Sequence, residues 1–339
     1  MDAITSIWLI KRFLPGWENA TVKFVQAGER ISNIKYQISN IKNTIEAIGD
    51  DEVIHVDTGL GPLDHHQTAD GNVCAASLTW QFVRRQRAED RRRILEDRGQ
   101  KTEKERDREE AVSRMVKVVV DIDHFREIFW GDPTADYHEF SLPNILDGLK
   151  LQKPNQDEYY VEFVVMCLDA VLHEFENRIW AEEEIAKNGI KFDTRFGKGI
   201  GFETINDSVI KLAQKMAYVV VVRKDPRKGY VRIKAKPTKR SVNQRVAAPS
   251  NVPAASDAVS AASDAASSSK PQKLNAKRYT LDANIDLTLA YERLKKMDPS
   301  ATWYLHIGKK MLLNGSVKNP KMRPTKLGLN DIIKVLEKI

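Results

Sequence analysis

The stretch Glu52-Val53-Ile54-His55-Val56-Asp57 constrains the fold most. It is mostly apolar and does not alternate, the pattern of a strand buried on both faces of a parallel sheet. Its last residue is an aspartate. Thr58-Gly59-Leu60-Gly61-Pro62-Leu63 follows as a turn-rich loop, and then comes Asp64-His65-His66-Gln67. Side chains at the carboxyl end of a parallel strand, and on the loop after it, point into the crevice where such sheets hold ligands. Two of the seven histidines are adjacent here. Carboxylate oxygen together with imidazole nitrogen suits Mn²⁺, Fe, Co or Zn. The competing interpretation is a surface loop whose aspartate caps the next helix.

The elements around this loop suit an α/β chain. Asp2 to Phe13 reads as a helix with an apolar face of Ile4, Ile7, Trp8, Ile10 and Leu14. Thr21 to Ala27 reads as a short strand and Ala75 to Val83 as an apolar helix. Residues 84–110 hold eleven basic and nine acidic side chains, which marks a solvated helix. That helix is expected to continue into Ala111 to Phe129, which is apolar at helical spacing and carries Asp121, Asp123 and His124. Pro133, Pro143 and Pro154 place a domain boundary near residues 130–160. A helix from Glu158 to Ala186 and a strand from Lys198 to Ile205 come next. Asn206-Asp207-Ser208 is expected to cap a helix from Val209 to Ala217. Strands Tyr218 to Arg223 and Gly229 to Ala235 flank a hairpin turn. Helix Leu287 to Lys296, strand Thr302 to Ile307 and helix Asn330 to Lys338 close the chain. Residues 246–273 are almost all Ala, Ser, Pro, Asp, Val and Asn. Such a segment buries too little apolar surface to offset its ordering entropy, and a disordered linker is expected. The expected architecture is a doubly wound, mainly parallel sheet domain over residues 1–145. A smaller α+β substrate-binding domain follows, made of 146–240 and 274–339.

Net charge is +7, and its distribution says more than its sum. Residues 211–245 hold twelve basic side chains and one acidic one, Asp225; residues 299–329 hold six basic and none acidic. Clustered positive charge suits a polyanion, with nucleic acid first, against the alternative of a solubilising surface. Arg223 and Lys224 on the hairpin are candidate contacts to a phosphate backbone. No stretch of 18 apolar residues exists, so no membrane partner is expected. Cys74 and Cys167 are far apart and form no CxxC pair, which fits buried thiols in a reducing compartment. With no signal-peptide pattern at Met1 to Leu14, a cytoplasmic location is expected. There is no GxxxxGK[ST] or GxSxG motif. Gly197, Gly199 and Gly201 do not make GxGxxG, and His173-Glu174 meets Asn177 where HExxH needs a second histidine.

His55-Val56-Asp57-Thr58-Gly59, Asp64-His65-His66-Gln67 and the helix start Cys74-Ala75-Ala76-Ser77 together resemble the DHH phosphoesterase superfamily. They are similar to the branch once described as metal-dependent protein hydrolases and now read as 3′–5′ RNA exonucleases. Asp2-Ala3-Ile4-Thr5-Ser6 resembles the tail of that superfamily's first motif, H-x-x-x-D-x-D-A-x-x-S. Ile122-Asp123-His124 resembles its later aspartate motif, and Trp303-Tyr304-Leu305-His306-Ile307-Gly308 the closing substrate-domain motif. The resemblance implies that Asp57 bridges two metals and that Asp2, His65 and Asp123 complete one shell with it. Asp121 competes for the role of Asp123. His66 would face the substrate phosphate as a catalytic group, with His306 and Gly308 lining the C-terminal side. The other metal would need a His and an Asp that precede Met1, so Met1 is expected to be an internal codon of a longer gene, or the chain to descend from one. The activity implied is metal-dependent hydrolysis of phosphodiesters in single-stranded RNA or short oligonucleotides, in a cleft between the domains. Mn²⁺ is the expected cofactor, with Mg²⁺ or Co²⁺ as alternatives. Two rival readings remain. One is hydrolysis of another phosphoester, such as a cyclic dinucleotide or pyrophosphate; the other is a non-catalytic nucleic-acid or nucleotide binder with an incomplete metal site.

Overall fold

Helix α1 (Asp2–Phe13) forms where the apolar periodicity places it and buries Trp8, Leu9, Ile10 and Phe13. It ends at Leu14, just before Pro15, which cannot continue a helix. The computed structural model describes residues 1–26, 28–31, 43–94, 101–237, 284–316, 319 and 321–339, so the expected linker at 246–273 lies outside the described residues. The chain is mixed α/β and divides into two compact units, Met1–Trp180 and Ala181–Ile339.

In the first unit a hairpin, β1 (Glu46–Ile48) with β2 (Asp51–Val53), precedes helices α2 (Ala75–Ile94) and α3 (Glu103–Asp123). Phe13 meets Trp8 and Trp80 edge-on, with ring centroids 5.3 and 5.6 Å apart. The charged stretch is not one continuous helix. It splits into α2 and α3, which run antiparallel: Trp80 Nε1 donates to Ser113 Oγ at 3.0 Å, and Arg91 pairs with Glu105 at 3.0 Å. Thr102 starts α3 with a capping box closed by Glu105. Mixed charge marks a solvated face but carries no signal for where two helices turn back on each other. Two 3₁₀ turns (Arg126–Phe129 and Asp136–Phe140) and α4 (Leu142–Gln152) lead to α5 (Asp157–Lys187). Tyr160, Val164, Leu168, Leu172 and Ile179 of α5 join the core of the first unit. The division therefore falls inside α5 and not near residue 145.

The expected doubly wound sheet is corrected here. Among the described residues, the strands of the first unit are β1 and β2, and they pair antiparallel. The run Glu52–Asp57 pairs only through Glu52 and Val53; from Ile54 it is irregular, and Ile54 and Val56 pack on the helical core. An unbroken apolar run satisfies a buried irregular segment as well as it satisfies a central strand. The expected strand at Thr21–Ala27 is likewise irregular over residues 21–26.

The second unit is built on a six-stranded mixed sheet. Its strands are β3 (Ile190–Thr194), β4 (Gly197–Glu203), β5 (Val220–Lys224), β6 (Val231–Ala235), β7 (Tyr304–Leu305) and β8 (Met311–Asn314), in the order β3-β4-β5-β6-β8-β7. Among the described residues only β4 and β5 pair parallel, joined through α6 (Ser208–Lys215). Helices α7 (Thr288–Met297) and α8 (Leu329–Leu336) bring Leu294, Ile332 and Leu336 against Val220, Val222, Ile233 and Leu312. The Pro226–Gly229 turn between β5 and β6 is the hairpin read from the sequence. No helix of the described residues is long and apolar enough to cross a membrane.

Candidate metal centre

The loop from Asp57 to His66 is held in shape by its own backbone and by Asp64. Asp57 N–H donates to Leu63 O at 3.0 Å and Asp64 N–H to Gly61 O at 3.1 Å. The buried Asp64 carboxylate accepts from Leu60 N–H at 2.7 Å, from His66 N–H at 3.0 Å and from the His66 ring at 2.6 Å. Burial pushes its pKa up, but the bonds from His66 and Leu60 outweigh burial and hold it below the ordinary value. Asp64 is thus an organiser of the loop. Asp57 and Leu60 both have left-handed backbone, φ +56° and +53°, which costs an L-residue roughly 1 kcal/mol or more.

Three elements bring carboxylates to His65. Its Nδ1 lies 3.5 Å from Asp2 Oδ2, at the start of α1, and 3.6 Å from Asp57 Oδ1 in the loop. Its Nε2 lies 3.1 Å from Asp123 Oδ2, at the end of α3. Asp2, Asp57, His65, His66 and Asp123 are therefore gathered in the first unit, as the sequence motifs anticipated. The two neighbouring carboxylates point different ways: Asp121 faces Arg126 at 3.5 Å, and Asp123 faces His65.

Asp2 has a second task that its own helix does not reveal. Its two oxygens accept from Ala75 N–H and Ala76 N–H, both at 2.7 Å, and so cap α2 from another helix. The neighbouring Cys74 thiol is buried, and burial beside Asp2 raises its pKa, which leaves it inert. His66 is 60 % exposed and stacks on His65 with ring centroids 4.4 Å apart. Its bond to Asp64 raises its pKa. His124, which the sequence reading gave no separate role, points Nε2 at Val73 O, 2.8 Å away.

The cluster is short of positive charge. Burial, then the nearby Asp2 charge, pushes the Asp57 carboxyl up to about 6, and Asp123 is raised for the same two reasons. Asp57 Oδ1 and His65 Nδ1 are both buried and have no hydrogen-bond partner. Orphaned buried polar atoms are rare in folded proteins. Two of them converging on one point, with Asp2 and Asp123 beside them, fit a divalent cation in donor type and in charge.

The C-terminal candidates sit in the second unit. Arg223 is 8 % exposed; its Nε donates to Asp207 Oδ1 at 2.9 Å and its Nη1 to Thr204 O at 3.3 Å. Lys224 Nζ donates to Leu327 O at 2.7 Å. Both are committed to contacts inside the fold, because β5 is a central strand; this corrects their assignment as phosphate contacts. Arg227 and Lys228, on the β5–β6 turn, are exposed cations of that hairpin. His306 and Gly308 form the exposed β7–β8 turn, where His306 Nδ1 accepts from Gly308 N–H at 3.1 Å. No protein-family model matches the chain, and no curated protein or solved structure matches it.

Proposed function

We propose that Asp2, Asp57, His65 and Asp123 hold a divalent cation, Mn²⁺ first and Mg²⁺ or Co²⁺ next. On this reading the chain is a metal-dependent phosphoesterase of the DHH type, acting on phosphodiesters of single-stranded RNA or short oligonucleotides. The observation that carries the reading is the pair of buried, unpartnered atoms, Asp57 Oδ1 and His65 Nδ1. When bound, such a cation supplies Lewis acidity toward a phosphoryl oxygen and toward water. Asp2 and Asp57 face His65 Nδ1 at 3.5 and 3.6 Å and Asp123 faces its Nε2 at 3.1 Å, so the ring stands among all three carboxylates. His66 is fixed through Nδ1 by Asp64, which leaves its exposed Nε2 to hydrogen-bond a phosphate oxygen and to give a proton to a leaving oxygen. The arrangement implied is a metal-bearing N-terminal domain with a smaller α+β substrate domain, whose exposed cations, Arg227 among them, neutralise the substrate backbone.

The test is a Mn²⁺ titration of the metal-free protein and of Asp57→Ala, followed by a substrate panel. The panel holds single-stranded RNA, single-stranded DNA, dinucleotides and pyrophosphate. Mn²⁺-dependent cleavage of RNA that disappears in Asp57→Ala is the expected result. Cleavage of pyrophosphate or a dinucleotide alone moves the substrate, and metal binding without turnover of any of them favours the binder. Unchanged metal stoichiometry in Asp57→Ala overturns the assignment.

A further inference from the structure

We propose that Arg30, at the centre of residues 29–31, is the positioning residue of the Asp57–His66 loop. The proposal rests on the reading of Asp57 and His65 as cation ligands. The loop holds left-handed backbone at Asp57, Gly59 and Leu60 in succession of four residues. Such geometry persists only where the surroundings over-determine it. The bonds within the loop do not tie it to anything else. Residues 29–31 do. Thr58 Oγ1 donates to Glu29 O at 2.9 Å, Arg30 Nη1 donates to Gly59 O at 3.3 Å, and Ile31 N–H donates to His55 Nε2 at 3.0 Å. Three consecutive residues thus grip positions 55, 58 and 59, on both sides of Asp57.

The guanidinium is built into this grip. Its side chain is 9 % exposed and ion-paired to Glu46 of β1, and its Nη2 lies 3.1 Å from His55 Nδ1. A Cβ added at Gly59 would stand 2.1 Å from Arg30 Cγ, and one at Gly61 would stand 2.4 Å from Nη1. The two glycines leave the space through which the side chain passes. Arg30 therefore links the β1–β2 hairpin to the loop without being one of the cluster residues. A planar fork that serves Glu46 and Gly59 at once is a task lysine cannot perform, although lysine keeps the charge.

The experiment compares wild type, Arg30→Met and Arg30→Lys, each well below its melting temperature, by two measurements. The first is hydrogen exchange of the metal-free proteins at the amides of Asp57, Leu60, Asp64 and His66, which close the loop. The second is Mn²⁺ affinity by calorimetry. Protection at those four amides is expected to fall about tenfold or more in both variants while α1 and α3 keep theirs. Mn²⁺ affinity is expected to fall by about 10–100-fold, although every ligand is still present. Unchanged loop protection in both variants overturns the proposal, as does full recovery of protection and affinity in Arg30→Lys, which would make charge and not geometry the cause. If Arg30→Met does not fold, Gly61→Ala displaces the guanidinium from the other side and is read in the same way. A wild type that binds no Mn²⁺ defeats the metal reading alone, because the exchange measurement still decides what Arg30 does.

Discussion

Asp2 shows how one carboxylate can cap a helix and stand in the Asp/His cluster together. It closes the start of α2 through two backbone bonds, and it stands beside His65. Asp2→Ala should therefore destabilise the metal-free protein by about 2–3 kcal/mol, from a lost cap and two buried donors left open. Urea unfolding without metal measures this, and a purely metal-binding role would leave that curve unmoved. Asp57 supplies a second residue-scale prediction. Its pKa, about 6 in the folded protein against an ordinary 3.8, means that the fold prefers its protonated form. Its contribution to stability is fully present below the ordinary value and is lost as pH rises through about 6. A cation must displace that proton to bind. The Mn²⁺-induced rise in Tm should consequently be larger at pH 7.5 than at pH 5, as read by calorimetric scans with and without metal.

At the scale of elements, one buried carboxylate helps to join the end of α7 to the segment before α8. Asp298 follows the last turn of α7 and accepts from Ser300 Oγ at 2.6 Å, Thr325 Oγ1 at 2.8 Å and Lys326 N–H at 2.9 Å. Those bonds, the Ser300 hydroxyl first, hold its pKa down at about 2. The stability it brings is present above its ordinary carboxylate value and is lost as pH falls through about 2. Asp298→Asn should cost about 1–3 kcal/mol at pH 6, and the deficit should shrink steadily as the pH falls below 4. Denaturant titrations of both proteins across that range test it; a deficit independent of pH would make packing, and not the charge, its cause.

For the molecule as a whole, the positive charge of the C-terminal half divides into a part that folds the sheet and a part that faces water. Asp207 pairs with both Arg223 and Arg232 across β5 and β6. Arg223→Ala should lower stability by about 1–3 kcal/mol and leave the salt dependence of RNA affinity unchanged. Arg227→Ala should do the reverse. If Arg227 neutralises one phosphate of a single strand, its loss should reduce the slope of log affinity against log salt by about 0.7. Binding titrations at several salt concentrations separate the two. An affinity that does not vary with salt in the wild type would favour the solubilising surface.

The amphipathic helices were legible because their information is local. Asp2–Phe13, the long α5, and the α6–β5–β6 succession follow from periodicity and turn chemistry, and the structure has each within a few residues. The gathering of Asp2, Asp57, His65, His66 and Asp123 was legible too, since their motifs named them one by one. What stood beyond reach was long-range. The apolar run before Asp57 could pack on a sheet or on helices, and only the α1–α2–α3 core decided which. The charged stretch could be one helix or two until α2 and α3 found each other through Trp80 and Ser113. Arg223 reads as a free cation in the chain and becomes a buried structural one only when Asp207 arrives, sixteen residues away in sequence. Arg30 carries no motif at all. Its place beside Gly59 exists only after segments 24 and more residues apart have met. Local pattern dictates which elements form and which side chains are candidates for a site; partners distant in sequence decide burial, pairing and orientation.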